Sequence, residues 1–172
     1  MALKSNFNEG QSRQDINRQK DNLYQRVINS FIRAGEDFVK EARNQSAGHE
    51  QGHYDDQTAN LRNSIGYFIA IDGKIINSNP SDERTGKKSE GKLNAAEIAI
   101  INQGAINDIV KPEGIQLIGI AGMDYASHVE SKGYNVISYQ ADVCMVDLAM
   151  YLEKLGVIEQ NSAANIEESF IP

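Results

Sequence analysis

The sequence has no tryptophan, a single cysteine, only three prolines and 7% aromatic residues. One cysteine, Cys144, excludes an internal disulfide and a cysteine-based zinc site. Its place in an apolar helical pattern predicts a small buried side chain. The N-terminal stretch MALKSNFNEG has no apolar segment of the signal-peptide kind, and no apolar run has the length of a membrane helix. We therefore expect a soluble protein made in the cytoplasm.

The chain is also poor in positive charge. Lys and Arg number 17 against 24 Asp and Glu, which gives a net charge of −7. This balance argues against a protein that grips nucleic acid through its phosphates, which requires clustered basic side chains. The charge is uneven, because residues 1–47 carry eight basic and six acidic side chains while residues 124–172 carry two and eight. One copy's basic arm could pair with a neighbour's acidic face, or the two surfaces could be solvated separately.

A long helix is predicted over residues 12–44, with Ser12 as its N-cap. Its first three turns are polar nearly all round and gain little from a core, so we expect an arm that reaches toward a partner. The dipeptide Asp72–Gly73 then predicts a β-hairpin between two strands.

The second half of the chain predicts alternating helices and short strands. Residues 94–107 read as a helix that starts with an Asn94–Glu97 capping box. The segment IQLIGIAG reads as a buried strand, DYASHVESK as a short helix ending at Gly133, and YNVIS as another short strand. A last helix is predicted over residues 139–155.

Together these elements predict an α+β fold. We expect a long N-terminal helix, a small and mostly antiparallel sheet with a β-hairpin, helices packed on the sheet, and an extended C-terminal tail. The predicted organisation is a helical arm over residues 1–34, an α+β domain over 35–156 and a tail over 157–172.

A search for chemistry finds no catalytic, cofactor-binding or metal-binding residues that stand out. His49 and His53 have the spacing of a helical metal pair, but Gly48 and Gly52 favour a loop there. The chain has no phosphate-binding glycine motif. His128 lies near Ser127 and Glu130 without the sequence context of a hydrolase nucleophile.

Two segments carry a resemblance to a known family. The first, Thr58 to Ile65, resembles the element T-G-x-L-x-x-S-[IV] before a strand, with Leu61 and Ser64 at the matching positions and Ala59 where the family usually has Gly. The second segment, Ala121–Ser138, contains a stretch that resembles the element Y-A-x-x-V-E-x-[GK], with the matching positions Tyr125, Ala126, Val129, Glu130 and Gly133. Over residues 35–151 the chain resembles phage head–tail joining proteins, also called neck or tail-completion proteins.

The resemblance implies a non-enzymatic virion protein located at the head–tail junction. Such a protein forms a ring between the connector and the tail, with DNA passing through the lumen. Its partners would be further copies and other connector and tail proteins, with no sequence-specific nucleic-acid binding, no membrane and no cofactor. Leu61, Ile65, Tyr125 and Val129 are then expected in the core, and Arg62 and Glu130 form a possible subunit contact.

Two other interpretations stay open at this point. One is a small α+β enzyme or ligand-binding domain with a pocket near Gly119–Glu130, in which Asp124, His128 and Glu130 supply the polar groups. The other is an intracellular interaction module that belongs to no virion. The mass of the purified assembly distinguishes a ring component from an enzyme domain, which is usually monomeric or dimeric.

Overall fold

The structure is a computed structural model that describes residues 9–44, 54, 57–79, 86–106 and 109–158. The fold is α+β, as predicted. Its elements are, in chain order, α1 (Glu9–Asn44), α2 (Asn60–Ser64), β1 (Ile65–Ile71), β2 (Lys74–Ser78), α3 (Ala95–Ile106), β3 (Ile115–Ala121), α4 (Ala126–Ser131) and α5 (Ser138–Lys154). The predicted tail beyond residue 158 and the His49–His53 pair lie outside the described residues.

The sheet has three antiparallel strands in the order β2-β1-β3. Asp72 and Gly73 join β1 to β2 with φ angles of 48° and 78°, the pair of positive values that a type I′ turn requires. The Asp72 carboxylate also accepts a hydrogen bond of 2.9 Å from the Gly114 N–H just before β3. One residue therefore shapes the hairpin turn and ties it to the third strand.

The central strand β1 is buried on both faces, since the sheet separates two apolar clusters. On one face Ile65, Tyr67 and Ile69 pack with α1, α4 and α5 in the main cluster. On the other, Phe68 joins a smaller cluster that includes Ile106 of α3. Because alternate side chains of a strand point to opposite faces, β1 contributes to both layers.

Two glycines let α1 lie close to the sheet. A Cβ atom at Gly35 of α1 would lie 2.6 Å from the Tyr67 ring, and one at Gly119 of β3 would lie 2.8 Å from the Phe38 ring. Contacts this short do not occur between real carbon atoms. Each ring therefore occupies the space that a side chain on the opposing element would need.

Helix α5 packs beside the second half of α1. The Cys144 thiol donates a hydrogen bond of 3.4 Å to the Ala34 carbonyl. Further along the pair, Leu155 of the α5 end and Arg26 of α1 line one groove between the two helices. The two helices are therefore antiparallel, and α1 continues past the end of α5. No residue of α1 before Ile28 is buried, so the arm, which we define as residues 9–26, projects from the core.

Two predicted local features differ from the structure. The prediction of a strand at YNVIS was wrong, because residues 134–137 form irregular backbone that leads into α5. The Glu130 carboxylate accepts the backbone N–H groups that a strand would have paired. The predicted N-cap Ser12 was also wrong, because α1 begins at Glu9 and Ser12 lies inside it.

The predicted helix caps are otherwise confirmed. The Glu97 carboxylate accepts a hydrogen bond of 2.8 Å from the Asn94 N–H, and the Asn94 side-chain oxygen accepts one of 3.0 Å from the Glu97 N–H. These two bonds form the capping box of α3. Gly133 and Gly156 follow α4 and α5 with φ angles of 84° and 68°. These left-handed positions favour glycine and end both helices.

We predict opposite effects for the same substitution at two helical glycines. Gly35→Ala should lower the free energy of unfolding by about 1–3 kcal/mol, because the new methyl group meets the Tyr67 ring. Gly104→Ala in α3 is the matched control. Its methyl group meets open space, so it should raise the free energy by about 0.5–1 kcal/mol through helix propensity alone. Urea denaturation measures both, and stabilisation by Gly35→Ala would contradict the close packing.

Candidate functional site

The structure brings the two motif segments to one corner of the sheet. Ile65 at the start of β1 is the register partner of Ala121 at the end of β3, and the Gly122 N–H donates to the Ser64 carbonyl at 3.3 Å. Helix α3 also reaches this corner, where Gly122 contacts the Asn102 amide. The two segments are more than fifty residues apart in sequence, and antiparallel pairing of β1 with β3 is what joins them.

The first segment forms a compact turn and the short helix α2. The Thr58 hydroxyl accepts a hydrogen bond of 3.3 Å from the Asn60 N–H within this turn, and the N-cap residue of α2 is Ala59. Ala59 has a φ of 63°, the left-handed conformation that favours glycine. The turn therefore keeps the geometry that Gly would give, with Ala in its place. Leu61 is buried, and the Ser64 hydroxyl donates to the Leu61 carbonyl at 2.8 Å.

Two polar side chains that the sequence did not single out hold this segment. The buried Arg43 guanidinium of α1 donates two hydrogen bonds, of 2.7 and 3.1 Å, to the Ile65 carbonyl. The Asn60 amide donates to the Gly91 carbonyl at 2.8 Å and accepts from the Leu93 N–H at 2.9 Å. Both contacts join residues more than twenty positions apart, and no local pattern predicts such pairs.

The second segment spans the start and end of α4. Ala126 is buried and Val129 packs on the main core, as expected for structural positions. Tyr125 was expected in the core, and this was wrong: it precedes α4 and is 43% exposed. The prediction treated residue 125 as helical, whereas it is the N-cap residue, which need not share the face of Val129.

Glu130 holds the N-terminus of α5. Its Oε1 accepts backbone N–H groups from Val136, Ile137 and Ser138 at 3.3, 2.8 and 3.0 Å, and its Oε2 accepts the Ser138 hydroxyl at 2.9 Å. Burial raises the pKa of Glu130, but these hydrogen bonds outweigh burial and bring the pKa below its usual value. A carboxylate at this place accepts hydrogen bonds from N–H groups at the start of α5 that have no partner within the helix. Its negative charge also interacts favourably with the positive end of the helix dipole.

Within the chain, Arg62 lies beside an aromatic ring. Its guanidinium lies 5.9 Å from the centroid of the Tyr54 ring, within the range of a cation–π contact. Since the Glu130 carboxylate is engaged by the start of α5, its role within the chain is structural. The pairing of Arg62 with Glu130 as a subunit contact stays a prediction.

The three polar groups expected to line a pocket near Gly119–Glu130 have different surroundings. Asp124 and His128 are exposed, and Glu130 is committed to α5. Cys144 is buried as predicted, and burial together with the nearby Asp147 and Asp37 raises the pKa of its thiol to about 12. Across the described part of the chain, no three His, Cys, Asp or Glu side chains form a metal-binding group.

An open groove lies between α1 and α5, with a volume of about 290 Å³. Tyr151 belongs to its lining: the phenol hydroxyl donates to Asp37 at 3.1 Å, and the Arg33 guanidinium stacks 4.6 Å from the ring centroid. Arg26 and Lys154 add positive charge to the lining. The groove therefore offers a cationic surface with one aromatic ring and the hydroxyl-bearing Ser30.

Among the described helices, none combines the length and the apolar character needed to cross a membrane. The exposed large apolar side chains of the described residues lie mostly on α1, α3 and α5, with others on β2 and on connecting segments. We take the corner formed by the two motifs and the exposed helical faces as the candidate functional surfaces of this chain.

We predict that Arg43→Lys lowers the free energy of unfolding by about 1–3 kcal/mol. Lysine cannot reproduce the two-pronged donation to the Ile65 carbonyl in a buried position. Arg13→Lys is the control, because Arg13 forms an exposed pair with Glu9 and its change should stay below about 0.5 kcal/mol. Equal effects in thermal or urea denaturation would show that the Arg43 contact contributes no more than a surface pair.

We also predict that Glu130→Ala destabilises the protein in a pH-dependent way. Loss of this cap should cost about 1–2 kcal/mol at pH 7. Because the folded pKa of Glu130 lies below the unfolded value, its contribution is present above the unfolded pKa and is lost as pH falls through the folded one. The difference from the wild type should therefore shrink below about pH 4.

The control for Glu130→Ala is Glu113→Ala, which removes an exposed carboxylate from the loop before β3. Denaturation curves at several pH values measure both variants. A constant difference from pH 7 down to pH 3 would contradict the role of the Glu130 charge.

No family model matches this chain, and no curated protein or solved structure matches it either.

Proposed function

We propose that this protein is a non-enzymatic virion component that forms a ring at the phage head–tail junction and joins the connector to the tail. The observation that carries the proposal is the meeting of the two motif segments at one corner of the sheet, where Gly122 binds Ser64. The two segments that carry the resemblance therefore belong to one structural unit.

The character of the motif residues supports a structural role. Leu61, Ile65 and Ala126 are buried, and Glu130 and Gly133 shape the ends of two helices. Each of these residues packs in the core or holds the backbone in its conformation, and none presents a reactive group to a pocket. A corner of this kind builds a rigid domain that can be repeated around a ring.

The projecting arm supports assembly with partners. Residues 9–26 form about 27 Å of helix beyond the core. No residue of the arm is buried, so its helix gains no stability from core packing, and contact with another subunit would stabilise it. A ring protein has such neighbours by construction.

The charge of the chain fits a channel for DNA. With a net charge of −7, a ring of many copies carries a strongly negative potential. An acidic lumen repels phosphates and lets DNA slide without binding. We propose that the lumen wall of the ring is acidic.

The alternative of a small enzyme with a pocket near Gly119–Glu130 gains no support from the geometry. Asp124 and His128 are exposed, and Glu130 accepts four hydrogen bonds from residues 136–138. No specific observation favours this function, so the junction protein is the single proposal.

Depletion of the chain during infection tests the proposed function. We expect DNA-filled heads and complete but unattached tails, because the connector would lack the ring that receives the tail. Supplying the wild-type chain, or Gly104→Ala as a folded control, should restore joined particles seen by negative-stain microscopy. Normal yields of joined particles without the chain would contradict the proposal.

A further inference from the structure

Helix α5 presents a second apolar stripe on the side that faces away from α1. Its members are Tyr139, Val143, Val146 and Met150, all exposed, with Val146 64% exposed. Their spacing of four, three and four residues places them within about 60° of one another around the helix. This is the spacing of a helix–helix seam, and no described element covers it.

The arm of α1 presents a matching stripe. Ile16 is 63% exposed, and Leu23 and Tyr24 are exposed about two turns further on. Ile16 and Leu23 are seven residues apart, so both face the same side of the helix. The stripe extends over roughly 12 Å, compared with roughly 17 Å for the α5 stripe.

The two stripes cannot meet within one chain. Helix α1 is continuous from Glu9 to Asn44, and its second half already packs on the inner face of α5 through the contact of Ala34 with Cys144. The arm continues straight past the end of α5. The outer stripe, which includes Val146, lies roughly on the opposite side of α5 from Cys144.

Charge favours a second copy as the partner. The arm carries four basic and three acidic residues, a net charge of +1. Helix α5 carries Asp142, Asp147 and Glu153 against the single Lys154, a net charge of −2. Asp142 and Glu153 lie along one edge of the apolar stripe, so a basic helix laid on the stripe would have acidic side chains beside it along that edge.

We propose that the α1 arm of one copy lies on the outer stripe of α5 of the next copy. The contact joins two different surfaces, so each copy offers one arm and one stripe, and repetition around an axis closes a ring. This inference rests on the proposed ring and names the contact that forms it. One helix pair buries too little area for a stable dimer, so the contact is weak in a single pair and gains strength from closure.

Disulfide trapping between two variants of the full chain tests the contact. One sample mixes Leu23→Cys chains with isotope-labelled Val146→Cys chains under mild oxidation, and intact mass distinguishes the dimers. The native Cys144 is buried with a raised thiol pKa and should stay unreacted. The control replaces Val146→Cys by Ile100→Cys, which lies on α3 and is 73% exposed.

We expect several-fold more 23–146 dimer than 23–100 dimer. Equal yields, or a predominance of 23–23 and 146–146 dimers, would overturn the proposal. Circular dichroism checks that each variant is folded, and all three positions are exposed, so folding should be unaffected. The readout uses purified chain alone, so it is independent of the depletion phenotype that tests the proposed function.

Charge reversal provides a second test in the same assay. Asp142→Lys with Glu153→Lys on the Val146→Cys chain should reduce the 23–146 yield at low salt. Reversing Arg13 and Lys20 to Glu on the Leu23→Cys chain should restore it, because opposite charges again face each other. An unchanged yield after the first reversal would overturn the pairing of arm and stripe.

Discussion

The close approach of α1 to the sheet is the constraint on which the other features of this structure depend. Gly35 leaves room for the Tyr67 ring, and Gly119 leaves room for the Phe38 ring. With both rings in place, α1 lies against β1 and β3, and its end brings Arg43 within reach of the Ile65 carbonyl. That contact fixes the point where α2 ends and β1 begins. The motif corner is therefore built from the same packing that fixes the helix.

The same packing determines which surfaces stay open. Because the second half of α1 occupies the inner face of α5, the first half projects and the outer face of α5 is uncovered. Glu130 sets the start of α5 through its contacts with residues 136–138. The rigid core thus presents an arm at one place and an apolar stripe at another. We infer that a chain with two complementary surfaces of this kind is suited to a repeating assembly.

Much of the fold could be predicted from local patterns in the sequence. The Asp72–Gly73 turn, the Asn94–Glu97 capping box and the glycine at 133 each encode their geometry in adjacent residues. The segment YNVIS was predicted as a strand because its β-branched residues favour one. A side chain outside the segment changes this outcome: Glu130, six residues before Val136, accepts the N–H groups that a strand would have paired.

The motif residues of the candidate site could be predicted from the sequence, but the side-chain contacts between distant segments could not. The sequence named the residues of both motifs, yet Arg43, Asn60 and the Tyr151–Asp37 contact depend on pairs up to 114 residues apart. Tyr125 shows the limit of helical spacing as a guide, since a shift of one residue at a helix start moves a side chain from the core to the surface.

We propose above all that this protein forms a ring between the head connector and the tail. The decisive experiment is a reconstruction of purified particles by electron microscopy, focused on the head–tail junction. We expect a closed ring into which the fold of residues 28–158 fits, with the α1 arm reaching the adjacent subunit. A junction built from other chains, with this protein missing from purified particles, would contradict it.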